Sequence, residues 1–147
     1  MSYYLKVVHP PIPADSLREG EECNVHFTEK SKSYADRFSQ CAGFLVYATG
    51  RTEDGMKLFA RGEPLLPWPK DVWQEDPREV DGISYPLGVE VRINKRVNVD
   101  SGVPRAVMLK LCPRLKNNTF QSHGGLIKVS KEEFEVLSAA LDNFNKL

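Results

Sequence analysis

The chain has 147 residues, 41% of them apolar and 27% charged, with 20 basic residues against 20 acidic. That length fits one domain, 1–147, with enough apolar material for a core. No window approaches the ~18 apolar residues of a membrane span, and no basic-then-apolar secretory leader opens the chain. Three widely spaced cysteines, Cys23, Cys41 and Cys112, fit buried thiols in a reducing cytoplasm better than a disulfide framework.

Residues 3–9 form a short β-prone apolar run closed by Pro10-Pro11, read as the first strand. Residues 15–23 are polar, a loop or one helical turn. A helix is expected near 31–40, with Ser31 or Ser33 as N-cap and Tyr34, Phe38 and Cys41 along its apolar face. The clearest local signal spans 43–62. An apolar strand (Gly-Phe-Leu-Val-Tyr-Ala-Thr-Gly), a polar turn with Asp54-Gly55, and a second strand follow one another. In that second strand Met56, Leu58 and Ala60 alternate with Lys57, Phe59 and Arg61.

Residues 63–81 hold Pro64, Pro67, Pro69 and Pro77 together with Trp68 and Trp73. Such a composition sustains neither a long helix nor a central strand, so it reads as a stiff loop carrying two large aromatics. Residues 85–94 alternate through Leu87, Val89, Val91 and Ile93, a strand signature that can run on past Val97. Residues 105–111 read equally as a strand or a short helix, and 126–129 as a brief strand. Ser130 and Glu133 make a capping box for a helix over 131–143, with Phe134, Leu137, Leu141 and Phe144 on its stripe. About six strands with two or three flanking helices predict an α+β domain built on a curled, barrel-like sheet.

The neutral total hides an uneven distribution. Between 86 and 128 eight basic residues face only Glu90 and Asp100, whereas 53–81 is acidic. The basic stretch, from Arg92 through Lys95, Arg96 and Arg105, reads either as a phosphate-binding face or as solvated strand faces paired elsewhere. No nucleophile elbow and no phosphate loop is present. Cys23 and His26 have the spacing of half a zinc site, but no second pair follows. Neither a metal nor a cofactor is expected. His9, His26 and His123 have no evident acid–base partner in sequence. The aromatics Tyr34, Tyr47, Trp68, Trp73, Tyr85 and Phe120 sit in or beside loops. They are either core under the proline-rich loop or the walls of a pocket for a flat heterocycle.

The order of these features resembles the EVE domain, a PUA-like family related to YTH and ASCH domains. Tyr3-Tyr4-Leu5-Lys6 is similar to the family's opening Tyr-Trp-Leu strand. Residues 27–34 followed by 43–50 resemble its short helix and Gly-Asp-x-x-x-x-Tyr strand, and residues 57–63 its next strand. Residues 120–134 resemble its closing strand and capped helix. The chain departs from the pattern at Tyr4, where the family often has Trp, and at Phe44, where it has Asp. The resemblance implies a PUA-like mixed barrel and a non-catalytic module that binds RNA or DNA and takes a base, often a modified one, into a pocket.

In that reading Trp68 or Trp73 and Tyr47 stack on the base, and Asn24, Ser31 and Thr49 bond its edge. Tyr34 and Phe120 belong to the same pocket. Lys32, Arg92, Lys95 and Arg96 neutralise phosphates, with Arg105 beside them. The alternative is a small hydrolase or nucleotide-processing enzyme on the same barrel, as ASCH domains suggest, with Lys32, His26 or His123 as its reactive group. A third reading is a protein adaptor that uses the acidic tryptophan loop.

Overall fold

The computed structural model describes residues 2–8, 18–27, 32–49, 56–65, 78–80, 83–85, 87–117 and 126–143. Its main sheet runs in the order β2 (Glu22–Phe27), β7 (Leu87–Arg96), β4 (Lys57–Pro64), β3 (Gly43–Ala48), β1 (Tyr3–Val8), β9 (Leu126–Val129). The two-residue β8 (Val103–Pro104) adds to β4. A separate hairpin pairs β5 (Arg78–Val80) with β6 (Ile83–Tyr85). Among the described strand pairs only β1 and β3 run parallel; the other pairs are antiparallel. A parallel pair needs a crossover, and here β2 and α1 (Lys32–Ser39) supply it. Among the described residues the result is a curled mixed half-barrel whose main path has six strands, with three helices, an α+β PUA-like fold.

Two irregularities curl the sheet. Val46 pairs with Ala60 but Tyr47 pairs with Leu58, which leaves Phe59 as an extra residue in β4. Arg61 pairs with Lys95 but Gly62 with Ile93, which leaves Asn94 extra in β7. Each bulge bends its strand and raises the local twist. At the second, Gly62 is required by close approach: a Cβ there would lie 2.3 Å from the Arg92 carbonyl oxygen. The curl carries β2 round to β1, so that the Lys6 ammonium sits 4.4 Å from the centroid of the Phe27 ring.

The sheet separates two cores. Inside the curl, α1 inserts Ala35 and Phe38 among Phe27, Phe44, Val46, Phe59, Leu87 and Val89. Phe38 links Phe27 at 5.4 Å and Phe44 at 4.7 Å between ring centroids. Outside it, α2 (Arg105–Leu111) and α3 (Lys131–Asn143) cover Leu5, Val7, Leu45, Tyr47 and Leu58 with Met108, Leu137 and Leu141. With a core on either side, β3 is buried along all six residues, which is why its sequence is apolar throughout.

Several expectations meet this architecture well. The strand at 126–129 and the helix at 131–143 have the expected bounds. The Ser130–Glu133 capping box forms, with the Glu133 amide donating to Ser130 Oγ at 3.0 Å and the Ser130 amide to Glu133 Oε1 at 2.8 Å. Leu87, Val89, Val91 and Ile93 are all fully buried. Residues 105–111, open to either reading, are helical.

Others need correction. Strict alternation through 56–61 fails at the bulge, where Phe59 and Ala60 enter the same inner core. The buried face of α1 is Ala35, Phe38 and Ser39, while Tyr34 stays 42% exposed. Residues 22 and 23, expected within a loop or helical turn, instead begin a strand that runs to Phe27, because β7 offers it an edge.

Candidate nucleic-acid interface

At one end of the sheet β1 ends at Val8, β3 at Ala48, β4 begins at Lys57 and β9 at Leu126. The register holds them level: Val8 pairs with Ala48, Ala48 with Lys57 and Lys57 with Pro104. The Thr49 amide donates to the Val8 carbonyl at 2.9 Å, and the Arg105 amide to the Met56 carbonyl at 3.2 Å. That end therefore presents Lys57 and the start of α2 side by side. Lys95 and Arg96 stand opposite Arg61 and Ala60 on the neighbouring β7, about three residues or 10 Å down β4 from Lys57.

The α2 face is cationic. A cleft of about 770 Å³ is lined by Arg105, Lys110 and Lys116 around Ala106, Val107 and Leu109, with no carboxylate among the described residues of its lining. Lys110 and Lys116 are exposed. Apolar floor and cationic rim together suit a ligand that is part flat ring and part phosphate.

The expected phosphate set divides. Arg92 is occupied, its Nη2 bonded to Glu22 Oε1 across the β2–β7 ladder at 3.2 Å. Arg96 lies over the Phe59 ring at 5.6 Å, and its backbone amide donates to Glu19 Oε2. Lys95 and Arg105 are half-buried, with Arg105 close enough to bias the Tyr47 hydroxyl. Arg114, from the same basic stretch, is committed to Glu133 at 2.6 Å and to the Lys128 carbonyl at 3.0 Å. Lys110 and Lys116, counted in the basic stretch but absent from the expected site, join Arg105 because α2 folds them onto its groove.

The expected base-binding set divides too. Tyr47 is 1% exposed in the core beneath α2, on the face of β3 opposite Val46 and Ala48, and burial pushes its hydroxyl pKa up. Its ring is covered by side chains, so its expected role as an open stacking surface is corrected to core packing. Thr49 is half-buried at the same end of the sheet. Asn24 is exposed on β2, on the side away from Val25 and Phe27. Lys32 and Tyr34 are exposed on the first turn of α1, with the Arg37 guanidinium 5.2 Å from the Tyr34 ring. The chain continues from Leu65 at the end of β4 where Gly62 meets Phe44, the end opposite Thr49. Ser31, Trp68, Trp73, Phe120 and His123 lie outside the described residues. Cys23 and His26, three apart on a strand, face opposite sides of it.

Lys6 was not anticipated as special. It is 1% exposed, donates to the Val7 carbonyl at 3.3 Å, and burial lowers its pKa from 10.5 to about 7. The sequence showed only a lysine inside an apolar run; that its strand lies between β3 and β9 and so has no wet side is a fact of the fold. The thiols of Cys41 and Cys112 are also buried, and burial pushes Cys41 up to about 12.

No family model matches the chain, and no curated protein matches it. Two solved structures do. The crystal structure of human THYN1, an EVE-domain protein, in complex with 5-methylcytosine-containing DNA aligns with a TM-score of 0.58 at 13% identity, over 95% of this chain and 97% of that one. The NMR structure of Rpa0253 from Rhodopseudomonas palustris aligns with a TM-score of 0.57 at 15% identity, over 95% and 92%. At these identities the likeness establishes the fold over almost the whole chain. Among the described residues no helix is long and apolar enough to cross a membrane.

Proposed function

We propose that the chain is a nucleic-acid-binding module of the EVE type that holds a base, modified or unmodified, and acts by binding rather than by chemistry. The observation that carries this reading is the α2 cleft, whose charged lining among the described residues is cationic, on a fold shared over 95% of the chain with a protein solved on DNA. Arg105, Lys110 and Lys116 take phosphates, with Lys95 and Arg96 extending the track along β7. Trp68 and Trp73 stack on the base, Asn24, Ser31 and Phe120 complete its pocket, Lys32 and Tyr34 stand at its rim, and Thr49 belongs to the α2 end of the sheet. Extruding a base costs a few kcal/mol, and stacking returns ~1–3 kcal/mol per base. Among the described residues the groups with displaced protonation are core groups and the Arg114–Glu133 pair, none of them set at this cleft as an acid–base couple.

The test is fluorescence anisotropy with single- and double-stranded DNA and RNA, unmodified and with 5-methylcytosine, in the wild type and in Lys110→Ala/Lys116→Ala. Micromolar or tighter binding that the double substitution weakens about tenfold supports the module. Binding untouched by that substitution, or none to any oligonucleotide, overturns it. Trp68→Ala and Trp73→Ala then test the base: one of them should lose ~1–3 kcal/mol of affinity.

A further inference from the structure

The walls of the α2 cleft are set by the chain that follows the helix. α2 stops at Cys112, whose backbone (φ −130°, ψ 76°) leaves the helical region. A short helical turn, Pro113–Asn117, then brings the chain back beside α2. The Leu115 amide donates to the Cys112 carbonyl at 3.0 Å, and the Leu115 side chain is fully buried. Arg114 holds the same turn from its other side. Its Nε and Nη2 donate to the two Glu133 carboxylate oxygens at 3.1 and 2.6 Å, and Nη2 also to the Lys128 carbonyl at 3.0 Å. Lys116 is thereby fixed on the same cleft as Arg105 and Lys110. A wall held in place before a ligand arrives loses little entropy on binding.

Within the cleft, cations and aliphatic side chains alternate. Arg105 lies one turn before Leu109, and Ala106 one turn before Lys110, so each cation of α2 has an apolar neighbour on its own face. Ala106 is exposed, and Val107 and Leu109 are half-buried. The floor between the cations therefore faces water and stands to gain from being covered.

A duplex and an unpaired strand meet such a lining differently. A duplex turns its phosphates and sugars outward and keeps its base faces inside the stack. Seated here, it would satisfy the cations but leave Ala106, Val107 and Leu109 against charged oxygens or water. A helix that reads a duplex enters the major groove as a ridge, whereas these three residues line a recess. An unpaired strand has free base faces, and can lay one on an apolar floor while its phosphates reach cations on either side. We propose that the α2 cleft takes an unpaired polynucleotide strand, with a base face on Ala106, Val107 and Leu109 and the flanking phosphates on Arg105, Lys110 and Lys116. The inference rests on the nucleic-acid reading and narrows its substrate to single strands of RNA or DNA. It also lightens the cost of presenting a base, which is least when the base is already unpaired.

The test is binding by the full chain, at one salt concentration, of an unstructured strand of about 12 nucleotides, as DNA and as RNA, and of each strand annealed to its complement. The strand should bind at least about tenfold more tightly than its duplex. Lys110→Ala/Lys116→Ala should weaken the strand about tenfold and shrink that preference. Val107→Thr keeps the shape and makes the floor polar; it should weaken the strand about threefold and leave the duplex unchanged. If its thermal midpoint falls, Ala106→Ser, at an exposed position, takes its place. The methyl resonances of Ala106, Val107 and Leu109 should move on titration with the strand, as a base ring above them requires. Tighter binding of the RNA or of the DNA strand marks which sugar the site takes, and either supports the assignment. A duplex bound as tightly as the strand, or methyl resonances unmoved at saturation, would overturn it. Tight duplex binding that Lys110→Ala/Lys116→Ala still weakens leaves the nucleic-acid module standing, whereas no binding of any of these probes removes both.

Discussion

Lys6 is the residue whose chemistry is most altered by the fold. It lies on β1 between β3 and β9, with a core on each face of the sheet, and its ammonium rests against Phe27. Burial holds its pKa at about 7, against 10.5 for the free side chain. The unfolded chain keeps this proton up to about pH 10.5, whereas the folded chain gives it up near 7. Between those limits the unfolded state binds more protons, so stability rises with pH across the window and is flat below it with respect to this group. The full window corresponds to on the order of 5 kcal/mol. Lys6→Met keeps the volume and removes the charge. Urea denaturation at pH 7, 8 and 9.5 should show the variant more stable at pH 7 by ~1–4 kcal/mol, with the rise above pH 7 lost. A rise that persists in Lys6→Met would assign it to another group.

At the level of elements, α3 and the β4–β7 pair carry the clearest tests. Leu137→Ala removes a fully buried side chain that joins α3 to the sheet and should cost ~2–5 kcal/mol. Ser130→Ala breaks half of the capping box and should cost about 1 kcal/mol. Glu133 does more, because it caps α3 and also accepts from Arg114, whose hydrogen bond holds its carboxyl below the usual carboxylate range. Its contribution is complete above that range and lost as pH falls through the depressed value. An acid titration of stability should therefore flatten in Glu133→Gln. Gly62→Ala presses a methyl group onto the Arg92 carbonyl, a backbone atom that cannot swing aside. A loss of at least about 1–3 kcal/mol is expected, seen as a lower denaturation midpoint.

For the whole molecule, what matters is where the charges end up. The net charge is zero, yet the fold pairs Arg92 with Glu22 and Arg114 with Glu133 and gathers Arg105, Lys110 and Lys116 around one cleft. If these three contact phosphates, the logarithm of oligonucleotide affinity should fall linearly with that of salt, by ~0.7 per contact on a single strand and ~0.9 on a duplex. Lys110→Ala and Lys116→Ala should each lower the slope by about one contact. A slope unchanged in both variants would place the phosphates elsewhere.

Local signals in the sequence were enough for the helix at 131–143, its cap, the buried face of β7 and the 43–62 hairpin, because caps and periodicities act over a few residues. The order of such segments also sufficed for the PUA-like α+β class. Whether 105–111 would coil or extend, and which arginines would be neutralised, depended on contacts between residues far apart in sequence. Glu22 reaches Arg92 only because β2 adds to the edge of β7. Tyr47, at the end of an apolar strand, looked free to line a pocket. Its burial was decided by α2 closing over that face, and the period-two alternation of a strand does not reveal when both of its faces are covered. The bulge at Phe59 shifted the register of β4 within one run of alternating residues, for a bulge is set by the partner strand and leaves no mark of its own in composition.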